Sequence, residues 1–232
     1  MIELAVFDMA GTTVDDHGIV YVALQDAVEE TGATVSPGDL QEWMGADKVS
    51  AIKALMERGG QKPTEERVSA AFARFREILA DRYARTPPVA LPGVEQAIAV
   101  LRGRGIRVAL TTGFDDDVAY PLLESLGWGV GEGVASMIDA VVTTTDVAAG
   151  RPAPFMIHHA MEKTGIHDVR NVLAAGDTAV DLQAGRNAGA ISVGVLTGKL
   201  SHAQLAAHPH DYILASVADV PSLAETQPPA SK

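Results

Sequence analysis

The chain of 232 residues contains no cysteine, which excludes disulfides, thiolate nucleophiles and thiolate metal sites. Basic residues are scarce: 18 Lys and Arg stand against 30 Asp and Glu, for a formal net charge of −12. Nucleic acids and anionic membrane surfaces are held by clustered Lys and Arg, so neither is an expected partner. An anionic substrate must then be met by local groups, because the global field repels it. Long apolar runs are also missing. No stretch approaches the roughly 18 apolar residues of a spanning helix. The N-terminal MIELAVFD lacks the basic flank and long apolar segment of a signal peptide. A cytoplasmic protein is expected.

What is present is 47% apolar residues, enough for a substantial core, arranged in a recurring pattern. LAVFD (4–8), RVALTT (107–112), AVVTTTD (140–146), VLAAGD (172–177) and ISVGVL (191–196) are short apolar runs. They are too continuous to be half-exposed and read as buried parallel strands. Between them GVEQAIAVLRGRG (93–105), DDVAYPLLESLGW (116–128), PAPFMIHHAMEKTG (152–165) and AVDLQAGRNAGA (179–190) carry helical spacing and glycine stops. Strand–helix alternation predicts right-handed crossovers and an α/β fold with a doubly wound, Rossmann-like parallel-sheet core.

Three helical patterns with no strand between them, HGIVYVALQDAVEETGA, DKVSAIKALMERGG and TEERVSAAFARFREILADRYART, interrupt the alternation. They predict a helical insertion over residues 17–86 and a core built from 1–16 and 87–232. Pro-rich TPPVALPGV (86–94) returns the chain to the core, and the polar ETQPPASK at the end is expected to fray.

Ligands of such sheets bind beyond the carboxyl ends of the strands, where Asp8, Thr112 and Asp177 fall. Two buried carboxylates repel, so they need a cation between them or a raised pKa. Mg²⁺ fits, because it takes one or two carboxylates and leaves room for a phosphoryl oxygen. Asp181, one helical turn past Asp177, is placed to orient a metal-bound water or a nearby cation. A carboxylate can also attack phosphorus directly, giving an aspartyl phosphate that water later cleaves.

In TTGFDDD (111–117), the Thr112 hydroxyl and the amides near Gly113 are placed to hold phosphate oxygens, while Asp115–Asp117 cap the next helix. GRPAP (150–154) puts Arg151 just after a strand, where a guanidinium can neutralise developing charge. Any one of these residues alone reads as a helix cap or a solvated charge. Four such positions at four strand ends, in order, point to a phosphoryl-transfer site.

DMAGTT, TTG, GRP and GDTAVD resemble, in order and across the whole core, the four motifs of the haloacid dehalogenase superfamily of phosphohydrolases. The helical insertion resembles the superfamily's α-helical cap domain. The resemblance implies Asp8 as nucleophile, Asp177 as a Mg²⁺ ligand with Asp181 in support, Thr112 as a phosphate binder and Arg151 as a bridge between phosphate and nucleophile. It also implies phosphate contacts at Thr12 and Gly113, and a metal contact at the Ala10 backbone carbonyl.

Most phosphatases of that superfamily carry a second aspartate two residues after the first, to protonate the leaving alkoxide and later activate water. Here Ala10 occupies that position. Without the donor an alkoxide leaving group loses on the order of 10²–10⁴ in rate, so either the chain is a poor phosphatase or its leaving group needs no such proton. The first motif is similar to that of the phosphonoacetaldehyde hydrolase branch, which cleaves a carbon–phosphorus bond. That branch uses a cap lysine as a Schiff base to the substrate aldehyde, within a motif of the form Met-Gly-x-x-Lys. MGADK (44–48) matches it, which implies Lys48 as the imine-forming residue and Met44 beside the substrate.

DKVSAIKALMERGG reads as a helix capped by Asp47, with Lys48 in its first turn. There the helix dipole favours neutral lysine and Asp47 favours the charged form. Three positions depart from the branch. Ala51 stands where its cap carries a histidine, Phe114 replaces a tyrosine, and a cysteine following the first motif has no counterpart. His17, at the hinge, is a candidate for the missing base.

Three readings result: a hydrolase of a small phosphonate, a phosphomonoesterase of a small phosphorylated metabolite with Lys48 as a charge clamp, and a non-catalytic phosphoacceptor module. The third needs neither a cap nor the GDTAVD pairing. Helix 18–32 is apolar enough to join two caps in a homodimer. HPH (208–210) lies in a polar loop with no third metal ligand nearby. His158 and His159 fall on one helix, where at most one can face the core.

Overall fold

The apolar runs pair into a parallel sheet in the computed structural model, which describes residues 1–131 and 136–227. In chain order the elements are β1 (Leu4–Asp8), β2 (Val14–Asp15), α1 (Ile19–Glu29), α2 (Pro37–Glu42), α3 (Lys48–Arg58), α4 (Glu65–Arg85), β3 (Val89–Ala90), α5 (Val94–Gly103), β4 (Arg107–Thr111) and α6 (Asp116–Ser125). They continue with β5 (Gly129–Val130), β6 (Ser136–Ile138), β7 (Ala140–Val142), α7 (Phe155–Thr164), β8 (Val172–Gly176), α8 (Ala179–Ala188), β9 (Ile191–Val195), α9 (His202–Ala206) and β10 (Tyr212–Leu214). The chain divides into two units, one of Met1–Asp15 with Val89–Lys232 and one of Asp16–Pro88.

In the first unit the sheet runs β10-β9-β8-β1-β4-β7, every pairing parallel. β1 is flanked by β4 on one side and β8 on the other, so the topological switch point lies at its carboxyl end. The register is level there: Asp8 pairs with Thr111 and Phe7 with Ala175. Thr112 and Asp177 therefore leave the strands on either side of Asp8.

Alternation along the strand decides which way each side chain points. Leu4 and Val6 pack with Ala109, Val142, Val172 and Ala174 against Met156, Ile157 and Ala160 of α7 and Ala184 and Ala188 of α8. Each large side chain removed from water there contributes about 1.5–3 kcal/mol. Asp8 follows Leu4 and Val6 onto the same face, towards α7 and α8. Ile98 and Leu101 of α5 are buried as well.

The second unit is helical. Ser36, Asp47 and Thr64 each cap a helix, accepting from the amides of Asp39 at 3.1 Å, Val49 at 3.0 Å and Arg67 at 3.4 Å. Val68, Ala71, Phe75 and Leu79 make the buried stripe of α4, against which α1 and α3 pack. The Asp16 carboxylate accepts from the amides of Gly18 and Val20 at 3.0 and 2.9 Å and from the Tyr83 hydroxyl at 3.3 Å. It thereby ties the start of this unit to the last turns of α4.

Five segments differ from the sequence expectation. The strand expected over 140–146 ends at Val142. The Thr143 amide donates to Asp146 at 2.9 Å and the Thr145 amide to the Thr143 hydroxyl at 3.2 Å, so side chains take the amides a ladder needs. Helix α2, with no buried residue, and the three-residue β10 are too short to carry a readable period. TPPVALPGV holds β3, which pairs antiparallel with β2. The tail is anchored as far as Gln227: Thr226 is buried, and the Ile2 amide donates to the Glu225 carbonyl at 3.1 Å. Residues 228–232 lie outside the described residues. Among the described residues no helix is long and apolar enough to cross a membrane.

Candidate active site

After Asp8 the chain reverses within six residues. The amides of Thr12, Thr13 and Val14 all donate to the Met9 carbonyl, at 3.2, 2.9 and 2.9 Å. The Thr13 hydroxyl donates to the Asp8 carbonyl at 2.9 Å. Small residues at Ala10 and Gly11 permit this turn, and Ala10 bridges to Val14. Thr12 is buried and its hydroxyl donates to Asp177 Oδ1 at 2.9 Å, so the first motif grips the fourth directly.

Arg151 Nη1 donates to Asp8 Oδ1 at 2.6 Å and also to Asp181 Oδ1. The other oxygen of Asp181 accepts from the Thr178 amide at 3.1 Å and from the Thr178 hydroxyl, closing the capping box that starts α8. Asp181 thus holds Arg151 with one oxygen and its own helix with the other. Contrary to the sequence expectation, Arg151 does not directly follow a strand. It sits in the turn before α7, beyond the Thr143–Asp146 bonds that end β7. Lys163 braces that connection, donating to Asp146 Oδ1 at 2.9 Å and to the Val141 carbonyl at 2.8 Å.

Asp8, Asp177 and Asp181 are 6%, 4% and 8% exposed, and one oxygen of each lies within 4.8 Å of the others. Among the described residues this is the one group of three or more acidic, histidine or cysteine side chains able to hold a metal ion. Burial pushes the Asp8 carboxyl up to about 6 against the pull of Arg151. Burial, followed by the charges of Asp8 and Asp181, pushes Asp177 well above the carboxylate range. Burial also works against the Arg151 charge, but Asp181 and Asp8 outweigh it and raise the guanidinium further.

When all are ionised, three carboxylates face one guanidinium, an excess of two negative charges in a buried site of hard oxygen donors. That composition fits a hard divalent cation. The Arg151 Nε is buried without a hydrogen-bond partner, a donor well suited to an anionic ligand.

The shift of Asp8 has a thermodynamic consequence. Between its ordinary value near 4 and about 6, native Asp8 keeps a proton that the unfolded chain has lost, so metal-free stability falls as pH rises through this window. A cation relieves the cost only where the carboxylates are charged. The rise in melting temperature given by millimolar Mg²⁺ over EDTA is therefore expected to be larger at pH 7.5 than at pH 5. An equal rise at both pH values would count against a cation at this cluster.

The remaining candidates are placed as follows. Thr112 is buried; its hydroxyl accepts from the Phe114 amide at 3.2 Å, and Gly113 beside it is buried. Asp115 caps α6, accepting from the Val118 amide at 3.2 Å, and Asp116 accepts from the Thr143 hydroxyl at 2.5 Å. In the helical unit Lys48 is the first residue of α3 and is buried, with Nζ donating to the Ala46 carbonyl at 2.8 Å. Met44 is half-buried, Ala51 is buried and His17 is exposed. The HPH segment makes a local bond between His210 Nδ1 and the His208 carbonyl at 2.7 Å. His158 Nε2 meets the Ala188 carbonyl at 3.3 Å, and His159 Nδ1 meets Glu162 at 2.9 Å.

Two contributors went unread in the sequence. Thr178 was legible in principle, since Thr-Ala-Val-Asp is the spacing of a capping box. Thr197, whose hydroxyl donates to the Gly11 carbonyl at 2.6 Å, carries no local signal.

A parallel sheet that gathers acidic residues and an arginine at its switch point makes this a doubly wound α/β protein with a candidate phosphoryl-transfer site. Residues 2–189 match the haloacid dehalogenase-like hydrolase family, and the chain belongs to it. Phosphonoacetaldehyde hydrolase of Bacillus cereus (strain B4264) is 32% identical over 210 residues, covering 85% of this chain and 76% of that enzyme. The enzyme of the same name from Bacillus thuringiensis (strain Al Hakam) is 34% identical over 212 residues, with the same coverage of 85% and 76%. The crystal structure of a hydrolase from Pseudomonas syringae shares the fold, with a TM-score of 0.82 at 21% identity over 95% of this chain and 96% of that one.

Proposed function

We propose that this chain is a Mg²⁺-dependent hydrolase of a small aldehyde phosphonate of the phosphonoacetaldehyde kind, with Asp8 as nucleophile and Lys48 as the imine-forming residue. One observation carries the reading. Ala10 stands where an ester hydrolase of this family needs its proton donor, in a chain 32–34% identical to enzymes named phosphonoacetaldehyde hydrolase. The helical unit, Asp16–Pro88, serves as the cap that presents Lys48 and Met44 to the organic part of the substrate and excludes water.

In this reading the Lys48 amine adds to the aldehyde and loses water to give an iminium. An Asp8 oxygen attacks phosphorus. The carbon–phosphorus bond breaks, and its electron pair moves into the iminium to give an enamine. Carbon thus leaves without an alkoxide, and no acid is needed at position 10. Water cleaves the aspartyl phosphate, returning Asp8 and inorganic phosphate. The enamine takes a proton on carbon and is hydrolysed, returning Lys48 and the dephosphonylated aldehyde.

Arg151 neutralises charge on Asp8 and on the transferring group, with Thr12, Thr112 and Gly113 as its phosphate-side neighbours. Asp8, Asp177 and the Ala10 carbonyl would hold Mg²⁺, with Asp181 in support, and the ion would supply charge neutralisation for the phosphoryl oxygens.

Borohydride trapping tests the central step. Incubation with phosphonoacetaldehyde and borohydride is expected to inactivate the protein and to leave a reduced adduct on the Lys48 peptide, read by mass spectrometry. Phosphate release without an adduct would exclude the imine, and absence of both would exclude this substrate class.

A further inference from the structure

The Asp177 carboxyl group is wedged between two backbone segments. A Cβ on Gly11, whose φ of 91° already favours glycine, would lie 2.6 Å from Asp177 Oδ2 and 2.9 Å from Cγ. A Cβ on Gly198 would overlap the carboxyl group and lie 2.6 Å from the Asp177 Cβ. These contacts come from opposite directions in the chain, one from the turn after β1 and the other from the loop after β9. Thr197 joins them: its hydroxyl donates to the Gly11 carbonyl at 2.6 Å, immediately before Gly198. The fourth contact is the Thr12 hydroxyl on Asp177 Oδ1 at 2.9 Å. Loops from three strands, β1, β8 and β9, are thus locked around one carboxylate.

We infer that Thr197 and Gly198 are positioning residues for Asp177, setting its carboxylate for a divalent cation. Neither residue offers a ligand in this role. Thr197 fixes the carbonyl of Gly11 and with it the turn that carries Ala10 and Thr12. Gly198 supplies a backbone surface that leaves the carboxyl group no room to rotate towards β9. Like-charge repulsion from Asp8 and Asp181 would drive Asp177 outwards if that wall were absent. Groups that touch a metal ligand typically govern about 10–100-fold in affinity; Gly198 approaches Asp177 directly, and Thr197 acts through the Gly11 turn that does. The inference rests on the reading of Asp177 as a Mg²⁺ ligand.

The test is Mg²⁺ binding itself, followed by isothermal titration of the metal into EDTA-treated and dialysed protein, with circular dichroism and the metal-free melting temperature as controls on folding. Thr197→Val, which keeps the shape and removes the hydroxyl, is expected to weaken Mg²⁺ binding about 10-fold or more, and Thr197→Ser to restore it. Gly198→Ala is expected to weaken binding further by displacing Asp177. Native-like Mg²⁺ affinity in folded Thr197→Val would overturn the role of Thr197, and native-like affinity in Gly198→Ala would overturn that of Gly198. A native protein that binds no Mg²⁺ would instead overturn the metal reading on which both rest. If Gly198→Ala does not fold, the Val and Ser pair at position 197 still decides the role of Thr197.

Discussion

Asp8→Asn is expected to remove turnover by roughly 10⁴–10⁶-fold while stabilising the metal-free protein at pH 7. The two effects have opposite signs because one carboxylate causes both. In its proposed role as nucleophile its oxygen must be charged and aimed at phosphorus, and an amide is neither. As a buried group it is held at a pKa of about 6, so the folded state disfavours the charged form relative to water by about two units, or roughly 3 kcal/mol at most.

Asparagine has nearly the same shape and no charge to bury, and Arg151 retains Asp181 as a partner. Part of the cost is therefore recovered, on the order of 1–2 kcal/mol, and the metal-free melting temperature rises. Addition of Mg²⁺ should stabilise the variant less than the native protein, since one charged oxygen donor is gone. A variant that keeps measurable phosphate release, or that melts below the native protein at pH 7 in EDTA, would contradict the assignment of the charge cost to Asp8.

The alternation of apolar runs and helical patterns was legible because parallel strands are buried on both faces and need no special chemistry at their ends. β1 matches its expected range residue for residue, and β8 and β9 fall one residue short of theirs. Legibility failed where side chains compete with the backbone. Apolarity alone carries a strand through AVVTTTD, yet the hydroxyl of Thr143 and the carboxylate of Asp146 take the amides after Val142.

The acidic residues of the cluster could be found because strand ends mark them out. Their division of labour could not. The capping-box spacing of GDTAVD pairs Asp181 with Thr178, but nothing in it says that the other Asp181 oxygen would hold Arg151. Nothing in VLTGK says that Thr197 reaches the Gly11 carbonyl across 186 residues of sequence. Such contacts depend on the loops that three dimensions bring together, and a one-dimensional pattern holds no record of them.

Lys48→Arg separates the proposed chemical role of Lys48 from an electrostatic one. Arginine keeps the positive charge and can still donate to the Ala46 carbonyl that Lys48 Nζ meets at 2.8 Å, but its guanidinium stays protonated and cannot condense with an aldehyde. If Lys48 forms an imine, phosphate release from phosphonoacetaldehyde is expected to fall by at least about 10³-fold. Carbon would otherwise have to leave phosphorus as an unstabilised carbanion. If Lys48 is only a charge clamp, arginine should retain most of the activity and Lys48→Ala should lose it.

The two variants together therefore give opposite patterns for the two mechanisms. Loss in both, with no borohydride adduct in either, supports imine chemistry, whereas retention in arginine alone demotes Lys48 to a binding residue. Mg²⁺ titration guards the comparison. Lys48 belongs to the helical unit and the acidic cluster to the core unit, so both variants should bind Mg²⁺ as the native protein does. A variant that loses Mg²⁺ binding as well has been damaged beyond its side chain and would be set aside in favour of one that has not. With the metal site intact and phosphate release gone, the component lost would be the electron sink that the proposed imine of Lys48 provides.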